Sequence, residues 1–199
     1  MYSWEALDPI PLKRGGVVTT AFLGIAPDFR AAAQYVCGLP YGRNSNAGDP
    51  LIVLTEQRGT CSTKHALLRR LAIEQELNLL LVLGIFEMTE RNTPGVGAVL
   101  QRYGLTGLIE AHCYLRTAGK RIDVTKACLQ SRGEPIGSFL HEEEIEPNQI
   151  TDYKNEVHRK FLKQWIADSG GLAGRSLAEV WEIREECIAK LSESSETPD

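Results

Sequence analysis

The sequence has no apolar run of bilayer length; its longest, Leu79–Phe86, is interrupted by Gly84. It has no basic surplus either. Lys and Arg number 22 against 26 Asp and Glu, giving a net charge of −4 and a pI near 5.7. A general nucleic-acid binder needs excess cations to neutralise phosphates, so that class is excluded. There is no P-loop and no GxGxxG, which leaves nucleotide binding without its usual signature. Five cysteines at positions 37, 61, 113, 128 and 187 are odd in number and lack CxxC spacing. They fit reduced thiols in a cytoplasmic protein. The N-terminal stretch MYSWEALDPIPLKRGG lacks the basic start and apolar middle of a secretion signal. No internal repeat is visible. What remains is a 199-residue chain, 43% hydrophobic and 24% charged, the composition of one soluble domain, with or without an appendage.

In chain order, residues 1–16 carry Asp8-Pro9-Ile10-Pro11 and Gly15-Gly16 and read as an extended arm. Val17–Gly24 is a candidate short strand. Pro27 to Val36 reads as a helix that Asp28 helps to start and that Gly38 and Pro40 end. Tyr41–Pro50 is a polar surface loop, and Leu51–Leu54 is a short apolar segment. Thr60 to Leu77 has a wide apolar stripe, as a helix packed into a core would. Leu79–Met88 reads as a central strand, Asn92–Gly97 as a turn, and Val99–Leu105 as loop or short helix. His141–Glu146 is an acidic strip. Asn155–Ala167 is an amphipathic helix with Val157, Phe161, Leu162, Trp165 and Ile166 on its apolar side. Ser176-x-x-Glu179 is a capping box that opens a last helix, and the tail SESSETPD is expected to be disordered.

Two stretches carry chemistry. In the first, Arg58-Gly59-Thr60-Cys61-Ser62-Thr63-Lys64-His65, a helix begins at or beside a cysteine. The first turn of a helix has unpaired N–H groups and the positive end of its dipole, which favour the reactive thiolate. In the second, Ile109–Thr125, apolar Ile109, Ala111, Cys113 and Leu115 alternate with Glu110, His112, Tyr114 and Arg116. Ile122 and Val124 alternate with Arg121, Asp123 and Thr125. Thr117-Ala118-Gly119-Lys120 between them is a hairpin-turn candidate. A two-residue Ala118-Gly119 loop pairs Arg116 with Arg121 and makes His112 and Asp123 diagonal neighbours on one face, roughly 7–8 Å apart at the backbone. A turn one residue earlier puts them directly opposite. Either register makes a His–carboxylate pair available, and with Cys61 this gives the order of a Cys-His-Asp triad.

Gly59-Thr60-Cys61 opening a helix, then His112-Cys113-Tyr114-Leu115 and Gly119-Lys120-Arg121-Ile122-Asp123-Val124-Thr125, resembles the transglutaminase-like superfamily over about Leu51–Lys126. The resemblance implies a papain-like α+β fold: a helix bearing the Cys at its N-terminus, packed on an antiparallel sheet, with additional C-terminal helices. It implies Cys61 as nucleophile, His112 as general base and acid, and Asp123 as the orienting residue. Many relatives carry an aromatic residue, often Trp, soon after the His, and Tyr114 takes that place. The implied activity is acyl transfer or hydrolysis of an amide or ester through a thioester, without a cofactor, on a peptide, protein or small amide. The family also contains silent members, so a module that only binds a peptide or protein is the alternative, and a purely structural domain is a third.

Each residue also has a plainer role open to it. Cys61 could be core packing, His112 a solvated strand residue, and Asp123 a partner of Arg116 or Arg121. His65, four residues after Cys61 on the same helix face, is an internal rival to His112. The backbone N–H of Cys61 is the natural oxyanion donor, with the Gln57 side chain as a second candidate. Tyr114 is a further cleft candidate, and Tyr41, Asn44 and Asn46 could line the cleft. His112 and Cys113 are adjacent on a strand and point to opposite faces, so no shared metal site is expected. The organisation expected is a core with its N-terminal arm over 1–150, C-terminal helices packed on it over 151–190, and a flexible tail over 191–199.

Overall fold

The computed structural model describes residues 3–125, 133–168 and 174–193. Its helices are α1 (Val17–Phe22), α2 (Phe29–Gly38), α3 (Ile52–Glu56), α4 (Cys61–Glu74), α5 (Gly97–Arg102), α6 (Asp152–Asp168) and α7 (Leu177–Glu193). Its strands are β1 (Leu80–Thr89), β2 (Gly107–Thr117), β3 (Lys120–Ile122) and β4 (His141–Ile145). They form one antiparallel sheet in the order β3-β2-β1-β4. The fold is α+β, with the cysteine-bearing helix α4 packed against β2 and the C-terminal helices added. Among the described residues, no helix is long and apolar enough to cross a membrane.

The hairpin β2–β3 turns on Ala118-Gly119, both with positive φ, which is the backbone twist that a two-residue hairpin loop requires. Arg116 therefore faces Arg121, and Leu115 faces Ile122. The alternation along β2 does not separate core from water, however. Glu110, His112 and Tyr114 are as buried as Ala111, Cys113 and Leu115. The polar row is interior because each member meets a partner: Arg184 on Glu110, Asp123 on His112, Glu142 on Tyr114. The acidic strip 141–146 is the edge strand β4. Its Glu142 and Glu144 reach across the sheet to Arg121 and Arg116. Between them Gly84 leaves room for the Phe139 ring, which a Cβ at that position would strike. Phe139 in turn stacks on Tyr114.

One expected strand is a helix. Val17–Gly24 has β-branched residues, yet α1 forms because the Glu74 carboxylate, at the far end of α4, accepts from the backbone N–H of Val18 and Thr19 and from the Thr19 hydroxyl. A remote carboxylate takes over the capping that Gly16 cannot supply, and that overrides propensity. Elsewhere Asp28 caps α2 through the Ala31 N–H, and the Ser176/Glu179 box opens α7. Of the segment Val99–Leu105, expected as loop or short helix, the part up to Arg102 belongs to α5. Residues 191–193, expected as part of the flexible tail, belong to α7, which runs to Glu193 with Leu191 buried. Residues 194–199 lie outside the described residues, as does Cys128.

Helix α7 is locked to the sheet by charge. Arg184 grips both oxygens of buried Glu110 at 2.7 and 2.9 Å. His158 of α6 lies beside the pair, its Nε2 bonded to the Ile109 carbonyl oxygen. Burial alone would raise the Glu110 carboxyl, but the Arg184 charge outweighs it and brings the pKa down to about 2. Replacing Arg184 by Met strands a buried carboxylate, so unfolding by urea should show a loss of about 3–5 kcal/mol. The double variant with Glu110→Leu should recover much of that loss.

Candidate active site

The chain before α4 is bent tightly onto its own loop. Gly59 donates its N–H to the Pro40 carbonyl, and Gly42 donates back to the Gly59 carbonyl. A Cβ on Gly59 would press on Lys64, Thr63 and Val53, so only glycine fits. Thr60 then caps the helix. Its hydroxyl accepts from the Thr63 N–H, while the Thr63 hydroxyl accepts from the Thr60 N–H. Asn44 holds the same Thr63 hydroxyl at 2.7 Å. Cys61 is therefore the first residue of α4, fixed on both sides.

The sulfur meets the hairpin there. His112 bonds Asp123 through Nε2 at 2.8 Å to Oδ2, which leaves Nδ1 for the thiol. The His112 ring and the Cys113 N–H both act electrostatically on the Cys61 sulfur, and Cys61 and His112 line the same cavity. Asp123 lies just past β3, and its other oxygen accepts from the Thr125 N–H and hydroxyl at 2.8 and 2.6 Å. Its carboxylate is thus satisfied on both oxygens. His112 is held flat between neighbours, stacked with Tyr114 and edge-on to Phe86 and His65.

Charges in this cluster shift together. Burial raises the Cys61 thiol, but the positive charge of Lys154, the His112 hydrogen bond and charge and the Cys113 N–H prevail and bring it down to about 6. Burial opposes an imidazolium at His112, yet Asp123 and the thiolate drive it up to about 10. Burial would also raise Asp123, and the His112 charge and hydrogen bond take it far below the usual carboxylate range. Between those limits the favoured state is a thiolate beside an imidazolium backed by a carboxylate. Cys113, across the strand, is pushed by burial up to about 11 and stays a thiol.

His65 is not a second base. It is fully buried, with Nδ1 at 2.7 Å from the Cys61 carbonyl and Nε2 accepting from the Val124 N–H at 2.9 Å. Those partners require the neutral ring with its proton on Nδ1, and burial takes its pKa down to about 4. It clasps the first turn of α4 at Cys61 to the residue after Asp123. Lys64 does likewise, its ammonium reaching the carbonyls of Leu39 and Thr125.

A cavity of about 760 Å³ opens over the thiol, lined by Cys61, His112 and Asp123 together with Tyr41, Asn44, Phe86 and Trp181. The structure thus brings Cys61, His112 and Asp123 together, and it places Tyr41 and Asn44 on the cavity wall. It does not bring Gln57 there. That residue ends α3 in the left-handed region, exposed, with its amide bound to Tyr35 and the Leu54 carbonyl. Tyr114 also stays off the wall, buried behind His112 with its hydroxyl on Glu142. Asn46 accepts from the Gly48 N–H in its own loop. Sequence reasoning missed Lys154. The helix expected from its apolar residues starts at Asn155, whereas α6 starts at Asp152 and buries Lys154 and His158 together with Leu162. The i, i+4, i+8 spacing was the available signal. Among the described residues, no three His, Cys, Asp or Glu side chains are grouped to hold a metal.

Iodoacetamide should label Cys61 ahead of the buried thiols of Cys37, Cys113 and Cys187, with a rate that rises through about pH 6 as the thiol ionises. In His112→Ala that rise should move toward ordinary thiol pH, which makes labelling at neutral pH at least about tenfold slower. Labelling by peptide mass spectrometry across pH measures both. Compared with protein-family models, with curated proteins and with solved structures, the chain matches none.

Proposed function

We propose that this protein is a cysteine acyltransferase or hydrolase with transglutaminase-like chemistry, acting on an amide or ester through a thioester at Cys61. The observation that carries the reading is the Asp123–His112 bond of 2.8 Å, with His112 and the first residue of α4, Cys61, on the wall of one cavity. In the proposed reaction the thiolate attacks the substrate carbonyl carbon. The carbon–sulfur bond forms as the carbonyl π pair moves onto oxygen. The Cys61 N–H, which has no partner within the helix, is placed to meet that oxygen. When the oxyanion collapses, the carbon–nitrogen or carbon–oxygen bond to the leaving group breaks, and His112 gives that group its proton. Water or an amine then attacks the thioester carbon and gives a proton to His112, and the collapsing oxyanion breaks the carbon–sulfur bond and expels the thiolate. Asp123 keeps the ring oriented and offsets its positive charge throughout.

The size of the cavity supports a substrate larger than its reacting bond, with Trp181 and Phe86 supplying apolar wall. Incubation with 4-nitrophenyl acetate should leave an acetyl group on Cys61 in acid-quenched samples read by mass spectrometry. Cys61→Ser should abolish the adduct, and His112→Ala should slow its formation by about 10²-fold or more. Turnover should rise with pH through about 6, as Cys61 ionises, and decline above about 10, as His112 loses the proton it donates. No adduct from a panel of activated esters and amides, or one that forms equally fast without His112, would leave only a silent binding module.

A further inference from the structure

We infer that Lys154 of α6 is the second cation of the Cys61 thiolate, a positioning residue that acts through the nucleophile. The inference rests on Cys61 being the nucleophile of the proposed reaction. Lys154 is only 7% exposed. Its ammonium donates to the Ser62 hydroxyl at 2.8 Å, and that hydroxyl lies 3.8 Å from the Cys61 sulfur. All three residues line the same cavity. An ammonium has three donors, and among the described residues Lys154 makes this one hydrogen bond and no ion pair. A buried cation left so is costly unless an anion stands near it.

Position indicates which anion that is, since the Ser62 hydroxyl that binds Lys154 is also in contact with the Cys61 sulfur. The groups around the sulfur are His112, Glu110 and the un-ionised Cys113 thiol from β2, Arg184 from α7, His65 from α4, Tyr41 from the loop before it, Asp123 beyond β3, and Lys154 from α6. Glu110 and Arg184 neutralise each other through two hydrogen bonds. His65 is held neutral by its partners, and burial keeps the Tyr41 phenol protonated. The ionised triad then holds two anions, thiolate and Asp123, against one cation, His112. It is net negative and buried. Lys154 brings the cluster to zero. With the proton on sulfur and His112 neutral the sum is again zero, but the lysine then faces an uncharged sulfur across the Ser62 hydroxyl. The lysine therefore favours the reactive form.

The test needs no acyl donor, so it stands apart from whether the enzyme reading holds. Iodoacetamide labelling of Cys61 is followed across pH in the wild type, Lys154→Met, Lys154→Arg and the exposed-lysine control Lys160→Met. Lys154→Met should label about threefold more slowly near pH 6.5 and about tenfold more slowly near pH 5, a shift of about one pH unit, and converge with the wild type in alkali where every thiol is ionised. Lys154→Arg should keep most of the wild-type rate, and Lys160→Met all of it. If Met at 154 prevents folding, judged by circular dichroism, Lys154→Gln keeps a donor for Ser62 without the charge and should show the same shift. An unshifted profile in the neutral variant, or a slowing that persists in alkali, overturns the inference.

Discussion

The arrangement depends on two consecutive buried side chains of α4 that bind the chain beyond β3. Lys64 holds the Thr125 carbonyl and His65 holds the Val124 N–H, so both flank Asp123 on its C-terminal side. His65 also holds the Cys61 carbonyl. The helix that presents the thiol and the strand end that presents the carboxylate are therefore one unit, independent of the turn at Ala118-Gly119. His112 needs only to project from β2 to fall between them. Two polar residues without any chemical step of their own thus set the distance on which the proposed chemistry rests.

Burial makes that unit electrostatically demanding. Isolated charges in such surroundings are very costly, and removing one member of a buried pair is worse than never having had it. The protein answers with two compensated clusters side by side. One is Glu110 with Arg184, which ties α7 to the sheet; the other surrounds the sulfur. Their proximity explains why Cys113, one residue from His112, behaves in the opposite way to Cys61. Both thiols are buried, but the hydrogen bond and charge of His112 act on Cys61 alone, and at Cys113 desolvation prevails over Lys154.

Much of this was legible in the residues themselves. Strict alternation through 109–125 and a two-residue Ala-Gly turn were enough to put His112 and Asp123 on one face as diagonal neighbours, and Gly59-Thr60 was enough to start a helix at Cys61. These are local signals, governed by parity and capping. What escaped was tertiary. The Glu74 carboxylate that turns Val17–Phe22 into a helix is 55 residues from Thr19. The polar row of β2 looked like a solvent face because its partners Arg184 and Glu142 are remote. Gln57 looked well placed by spacing, but its positive φ turns the chain and its amide binds Tyr35 and the Leu54 carbonyl. Lys154 lies one residue ahead of the helix expected over Asn155–Ala167, whereas α6 begins three residues before that, at Asp152.

The contact between Ser62 and Lys154 joins residues 92 positions apart. A ribosome releases the sulfur long before it releases the ammonium that sits beside it in the finished fold. Until α6 has emerged and settled against β2, the cysteine lacks one wall of its cavity and one of its two counter-charges. The nascent protein thus carries its most aggressive atom through synthesis in a milder state, and acquires full reactivity only when the last third of the chain has come home.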